Sequence, residues 1–214
     1  MSLPYMETYI EKLEKELDAY TTALYAETKV LAQKFKRDTD GENELQVVLR
    51  GHLYLENAVE RLLQSVLVKP GSILTNRFMF ISKVQLGIAL GVIPESRKTL
   101  YEKLNTLRNN YAHQLNFKMT DKHLNDIVSC MDKDLKSSYP GSSQNNLLEN
   151  MKLAILTVWA DALANVYKNE TQVYVKEVRE INKLMKFKIS PLSDEELSIK
   201  GDEVIAKMKR RINK

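Results

Sequence analysis

Apolar side chains recur at steps of three and four from Met6 onward. Ile10, Leu13, Leu17, Tyr20, Leu24, Leu31 and Phe35 fall on one face of a long helix, with a gap in the stripe at Glu27 and Thr28. Charge, Asp and Gly then gather in KRDTDGEN, Lys36 to Asn43, which ends this helix and starts a second near Glu44. The second helix reads ELQVVLRGHLYLENAVERLLQSVL, with a broad apolar face of Val48, Leu49, Leu53, Ala58, Val59, Leu62, Leu63 and Val66, and it stops at Lys69-Pro70-Gly71. A third helix, roughly Asn76 to Gly91, is apolar almost all round, so it is expected at the buried centre of a bundle.

Pro94, Glu95 and Ser96 make a first turn for a fourth helix that runs through Leu100, Leu104 and Leu107 into RNNYAH. Thr120-Asp121 opens a fifth helix expected to reach Tyr139, closed by PGSS. The sixth begins near Asn145 and is long, its apolar positions running from Leu148 through Trp159 and Val173 to Leu184. SPLSDEEL starts a short last helix that ends in the basic tail KMKRRINK. No segment alternates apolar and polar residues long enough to need a strand, and no internal repeat is visible. The pattern predicts an all-α bundle with long first and sixth helices. Its expected organisation is a helical extension over 1–38, a bundle over 39–188, and a short helix with its tail over 189–214. The two long helices either project toward a second copy of the chain or wrap the core.

Composition narrows the class. The chain of 214 residues is 43% hydrophobic and 28% charged, ordinary for a globular protein, and its seven Gly and five Pro leave room for long helices. The single cysteine, Cys130, cannot close an intramolecular disulfide, which fits a reducing, cytoplasmic setting. With three scattered His it offers no zinc-ligand spacing, and neither metal nor cofactor is expected. Glu7, Glu11 and Glu14 occupy the region where a signal peptide needs an apolar run, and nowhere do about eighteen apolar residues run together, so no membrane partner is expected. The net charge of +4 allows attraction to a phosphate backbone without requiring it.

Arg108, Asn109, Asn110, Tyr111, Ala112 and His113 end the fourth helix with a permanent cation, two amides and an imidazole. Asn109 and His113, four apart, share a helix face. Arg108 and His113, five apart, stand about 140° from each other, so a joint role needs an unwound helix end or a second chain. An arginine and a histidine beside one phosphodiester suffice for metal-independent RNA cleavage. Arginine's planar fork binds the phosphate and offsets the charge that builds in the transition state. Histidine takes the proton of the ribose 2′-hydroxyl or returns one to the leaving 5′-oxygen. The competing structural reading makes both residues cations placed favourably against the helix dipole.

On these residues the sequence resembles the HEPN superfamily, helical domains marked by Arg, a polar residue, a short spacer and His. Arg108 to His113 matches with four intervening residues and Asn in the second position. GHLYLENAVERLLQSVL and KVQLGIALGVIPESRKTLYEKLNTLRNNYAH look like bacterial members related to the mannitol-operon regulator and abortive-infection groups. The resemblance covers about Leu45 to Leu115. It implies an endoribonuclease that leaves a 2′,3′-cyclic phosphate, in a toxin–antitoxin or phage-defence setting. In it Arg108 is the phosphate ligand, His113 the proton-transfer residue and Asn109 a polar positioner, with Asn110 and Tyr111 in support and Glu56 as an acidic residue paired with the motif. It also implies a homodimer through the motif-bearing face, RNA as partner, and an antitoxin or effector protein beside it. Two rivals share the bundle: a non-catalytic regulator of the mannitol-repressor type, and an RNA-binding or docking subunit of a larger complex.

Several residues carry a plainer reading. Tyr111 could stack on a base but beside an apolar face reads first as core. His52, near Glu56, could approach the site from the second helix but reads first as a packing histidine, and His123 as an exposed first-turn residue. Arg50 and Arg61 extend a basic groove or form surface ion pairs, and the tail with Lys207 and Lys209 reads as a solvated end.

Overall fold

A computed structural model describes residues 3–187 and 193–212, and among these the chain is helical with no strand. Eight α-helices follow in order: α1 Leu3–Thr39, α2 Glu44–Val66, α3 Phe80–Ala89, α4 Lys98–His113, α5 Asp121–Ser129, α6 Lys133–Ser137, α7 Leu147–Phe187 and α8 Asp194–Ile212. The long first and sixth predicted helices are α1 and α7. No described helix is long and apolar enough to cross a membrane. Ser190, Pro191 and Leu192, where the last helix was expected to start, and Asn213 and Lys214 of the tail lie outside the described residues.

The chain forms two compact units, residues 30–166 and residues 1–29 with 167–214, whose boundaries fall inside α1 and α7.

In the 30–166 unit, α2 starts on a capping box: Asn43 Oδ1 accepts from Gln46 N at 3.0 Å, and Gln46 Oε1 accepts from Asn43 N at 3.3 Å. Its apolar face buries Val47, Val48, Leu55, Ala58, Val59, Leu62 and Leu63. At Gly51 it meets α7 so closely that a Cβ would collide with Ile155. Phe35 of α1 stacks on Trp159 of α7 with ring centroids 5.5 Å apart, and Tyr54 of α2 meets both rings edge-on. α3 ends at Gly91, φ +72°, where Gly91 N bonds to Ile88 O and Val92 N to Gly87 O, the paired bonds of a Schellman cap.

Two expectations are corrected here. The third helix begins at Phe80, not Asn76, and is not buried all round: Phe80, Lys83, Val84 and Gly87 are its buried residues, while Gln85 and Leu90 are exposed. The expected fifth helix is broken in two between Ser129 and Lys133. Asp132 causes the break. Its Oδ1 caps α6 through Leu135 N at 3.0 Å, and its other oxygen bonds Arg97, whose guanidinium is buried and also grips Asp161 of α7 at 2.7 Å.

In the other unit, Tyr9 and Leu13 of α1 pack beside Gly201 of α8, and the Tyr9 hydroxyl donates to Ser198 O at 2.6 Å. Tyr20 meets Tyr174 of α7 edge-on at 5.0 Å. At the basic end of the chain Lys207, Lys209 and Arg210 are exposed, as expected of a solvated end, and two of its cations also form ion pairs. Within α8, Lys209 pairs with Glu16 at 2.7 Å and Arg211 with Glu170 at 3.1 Å.

Candidate functional site

Helices α2, α3 and α4 of the 30–166 unit enclose a cleft of about 660 Å³. Each helix contributes at its own period. α2 presents His52, Glu56 and Glu60, spaced i, i+4, i+8, and α4 presents Asn105, Arg108 and Asn109, spaced i, i+3, i+4. α3 contributes Lys83 and Phe80. Behind this polar wall α4 buries Leu100, Tyr101, Leu104 and Leu107, which hold its face against the rest of the unit.

The two cations of the cleft have different surroundings. The Lys83 side chain is only 8% exposed and its Nζ donates to Glu60 at 2.8 Å and to Glu56 at 2.9 Å. Burial works against its charged form, but the bonds to Glu60 and Glu56 outweigh burial and raise it above its ordinary value. Arg108 is half-buried, its Nη1 donates to Asn109 Oδ1 at 3.0 Å, and among the described residues no carboxylate comes within ion-pair distance of it. The cleft therefore contains one neutralised cation and one permanent cation without a carboxylate partner.

His52 is 6% exposed. Its Nε2 lies 3.2 Å from Asn105 Oδ1, its Nδ1 3.9 Å from Glu56 Oε2, and its ring packs edge-on to Phe80 at 4.6 Å. Burial lowers its pKa most, the Glu56 charge opposes this, and the Arg108 charge lowers it further. The balance favours the neutral imidazole.

Of the residues the sequence singled out, Arg108, Asn109 and Glu56 meet in this cleft. Glu56 is bound to Lys83 and faces His52, and it makes no bond to Arg108 among the described contacts. Asn110 turns away, accepting from Gln114 Nε2 at 3.2 Å and bordering a smaller recess with Lys103, His123 and Asp126. Tyr111 also turns away: its hydroxyl donates to Glu44 at 2.6 Å and accepts from Met119 N at 3.2 Å, and its ring meets Phe117 edge-on at 4.7 Å. That arrangement ties the segment after α4 back to the start of α2, and burial and the Glu44 bond together push the phenol up from its ordinary range. His113 is exposed in the last turn of α4, which stays helical to that residue, so the angle of about 140° between it and Arg108 persists within one chain.

Sequence reasoning passed over Lys83 and Asn105 and favoured a packing role for His52, which the structure places in the cleft. The signal for His52 was present in its i, i+4, i+8 spacing with Glu56 and Glu60. Lys83 gave none, because its partners are 23 and 27 residues away.

No family model matches the chain, and no curated protein and no solved structure matches it.

Proposed function

We propose that this protein is a HEPN-like endoribonuclease that cleaves RNA without a metal, by attack of the ribose 2′-hydroxyl on the adjoining phosphate to leave a 2′,3′-cyclic phosphate. The observation that supports this reading best is the half-buried Arg108, a permanent cation on a cleft wall with no carboxylate partner among the described residues, set beside a Lys83 that has two. A guanidinium in that condition is suited to a phosphate dianion or diester. Asn109 orients it, and His113, one turn further along the face of Asn109, is free to transfer a proton.

Since Arg108 and His113 diverge round an unbroken helix, the reading includes a homodimer in which His113 comes from a second copy. Leu53 and Met79 on the rim of the cleft, 62% and 73% exposed, supply apolar area for that contact. The same exposed pair supports a second reading, a non-catalytic module that docks a partner protein through this rim. A toxin or phage-defence role is the setting in which such a ribonuclease acts.

The deciding experiment incubates purified wild-type, Arg108→Ala and His113→Ala protein with total RNA in EDTA and identifies the fragment ends. Cyclic-phosphate ends from wild type, with rates down by about 10²–10⁴ in either variant, are expected. RNA left intact by all three favours the docking module.

A further inference from the structure

Cleavage through the 2′-hydroxyl moves two protons: one leaves the attacking oxygen and one reaches the departing 5′-oxygen. His113 accounts for a single transfer. The cleft that Arg108 borders contains an imidazole of its own, presented from α2 on the same wall as Glu56. We propose that His52 is the second proton-transfer residue of this cleft, the base that takes the 2′-hydroxyl proton of an RNA whose phosphate rests on Arg108. The inference depends on the ribonuclease reading above.

The contacts of the ring assign its two nitrogens. Asn105 Oδ1, 3.2 Å away, accepts from Nε2–H, which leaves the lone pair on Nδ1. Nδ1 lies 3.9 Å from Glu56 Oε2, too far for a hydrogen bond to the neutral ring but close enough for the carboxylate to stabilise an imidazolium. Lys83 fixes Glu56 through its other oxygen at 2.9 Å, so the carboxylate cannot swing out of the cleft. Phe80, packed edge-on, restrains the ring from turning. Every charged group facing His52 is accounted for by Glu56 on its own helix, Lys83 on α3 and Arg108 on α4, while α7 meets this part of α2 with the apolar Ile155. A histidine that only filled space would need neither an amide fixing one nitrogen nor a held carboxylate at the other.

The step balances. The 2′-oxygen to phosphorus bond forms as its proton passes to Nδ1. The bond from phosphorus to the 5′-oxygen breaks, and that oxygen takes its proton from His113. The products are a cyclic phosphate and a 5′-hydroxyl; His52 returns its proton to solvent and His113 regains one from it.

The test measures single-turnover cleavage of a single-stranded RNA in EDTA, between about pH 5 and 8, for wild type, His52→Gln and His113→Ala, with thermal unfolding of each. Glutamine keeps an amide nitrogen for Asn105 and cannot titrate. His52→Gln is expected to cleave about 10²–10⁴ more slowly, to melt with wild type, and to lose the fall in rate toward acid that wild type shows with a midpoint below 6.5. If His52→Gln stays within about threefold of wild type and keeps that acid limb, the inference is overturned and the ribonuclease reading stands. Intact RNA with wild type overturns both. Should His52→Gln fail to fold, the wild-type protein decides: the His52 imidazole, titrated by NMR, must share the midpoint of the kinetic acid limb, and a different midpoint overturns the inference.

Discussion

Lys83 shows how one side chain fixes the chemistry of the cleft. Its ammonium is held by Glu60 and Glu56 above its ordinary value of 10.5, so its contribution to stability is fully present below that pH and is lost only as pH rises through the folded value. Lys83→Met leaves the two carboxylates facing each other. Because both are partly exposed, we expect a cost of about 2 kcal/mol, below that of a fully buried pair. In urea titrations the difference between wild type and variant should stay flat from neutrality to the Lys83 range, and a difference that shrinks well before it would contradict the assignment. His52 acts in the opposite direction. Its folded pKa is depressed, so stability is full above 6.5 and falls as pH drops through that value, and His52→Gln should flatten this slope. Arg97 has no place in the cleft. Arg97→Leu strands Asp161 and is expected to cost about 2 kcal/mol in chemical denaturation, with RNA cleavage by the remaining folded protein unchanged.

At the scale of the helices, close approach decides more than propensity does. Gly51 lets α2 lie against Ile155 of α7, which aims His52 and Glu56 along the same face into the cleft. Gly51→Ala forces the two helices apart, with an expected cost of about 1–3 kcal/mol and a loss of cleavage greater than the loss of folded protein. Folded protein with unchanged cleavage would show that the α2 register does not matter. What the sequence disclosed divides along the same line. The stripe of α1 and the stop at Asp40-Gly41 are local and could be read directly. The break between α5 and α6 could not, since Ser129-Cys130-Met131 contains no Gly or Pro, and the break follows from Asp132 bonding Arg97, 35 residues earlier. The site divides in the same way. Arg108, Asn109 and His113 stood out as a pattern, while Lys83 was not singled out. Its ion pairs exist only once α2 and α3 pack.

For the whole molecule, the two compact units differ in how their chain is drawn together. The 30–166 unit is one continuous stretch, whereas the other joins residues 1–29 to residues 167–214. Closing the second therefore costs the entropy of a long loop, and closing the first does not. Pulsed hydrogen exchange during refolding should find amides of α2 and α4 protected before those of α8, and simultaneous protection would count against this order.

The same asymmetry bears on synthesis at the ribosome. Residues 30–166 emerge as a finished set and can fold while the rest is still being made. The stripe of Tyr9, Leu13, Tyr20 and Leu24, buried in the folded protein, is made earlier and then waits, uncovered, for the end of α7 and α8 to be translated. For that interval the newborn protein carries an apolar helix face with no internal partner, a ready substrate for a chaperone and a place where two nascent chains on one message could stick together.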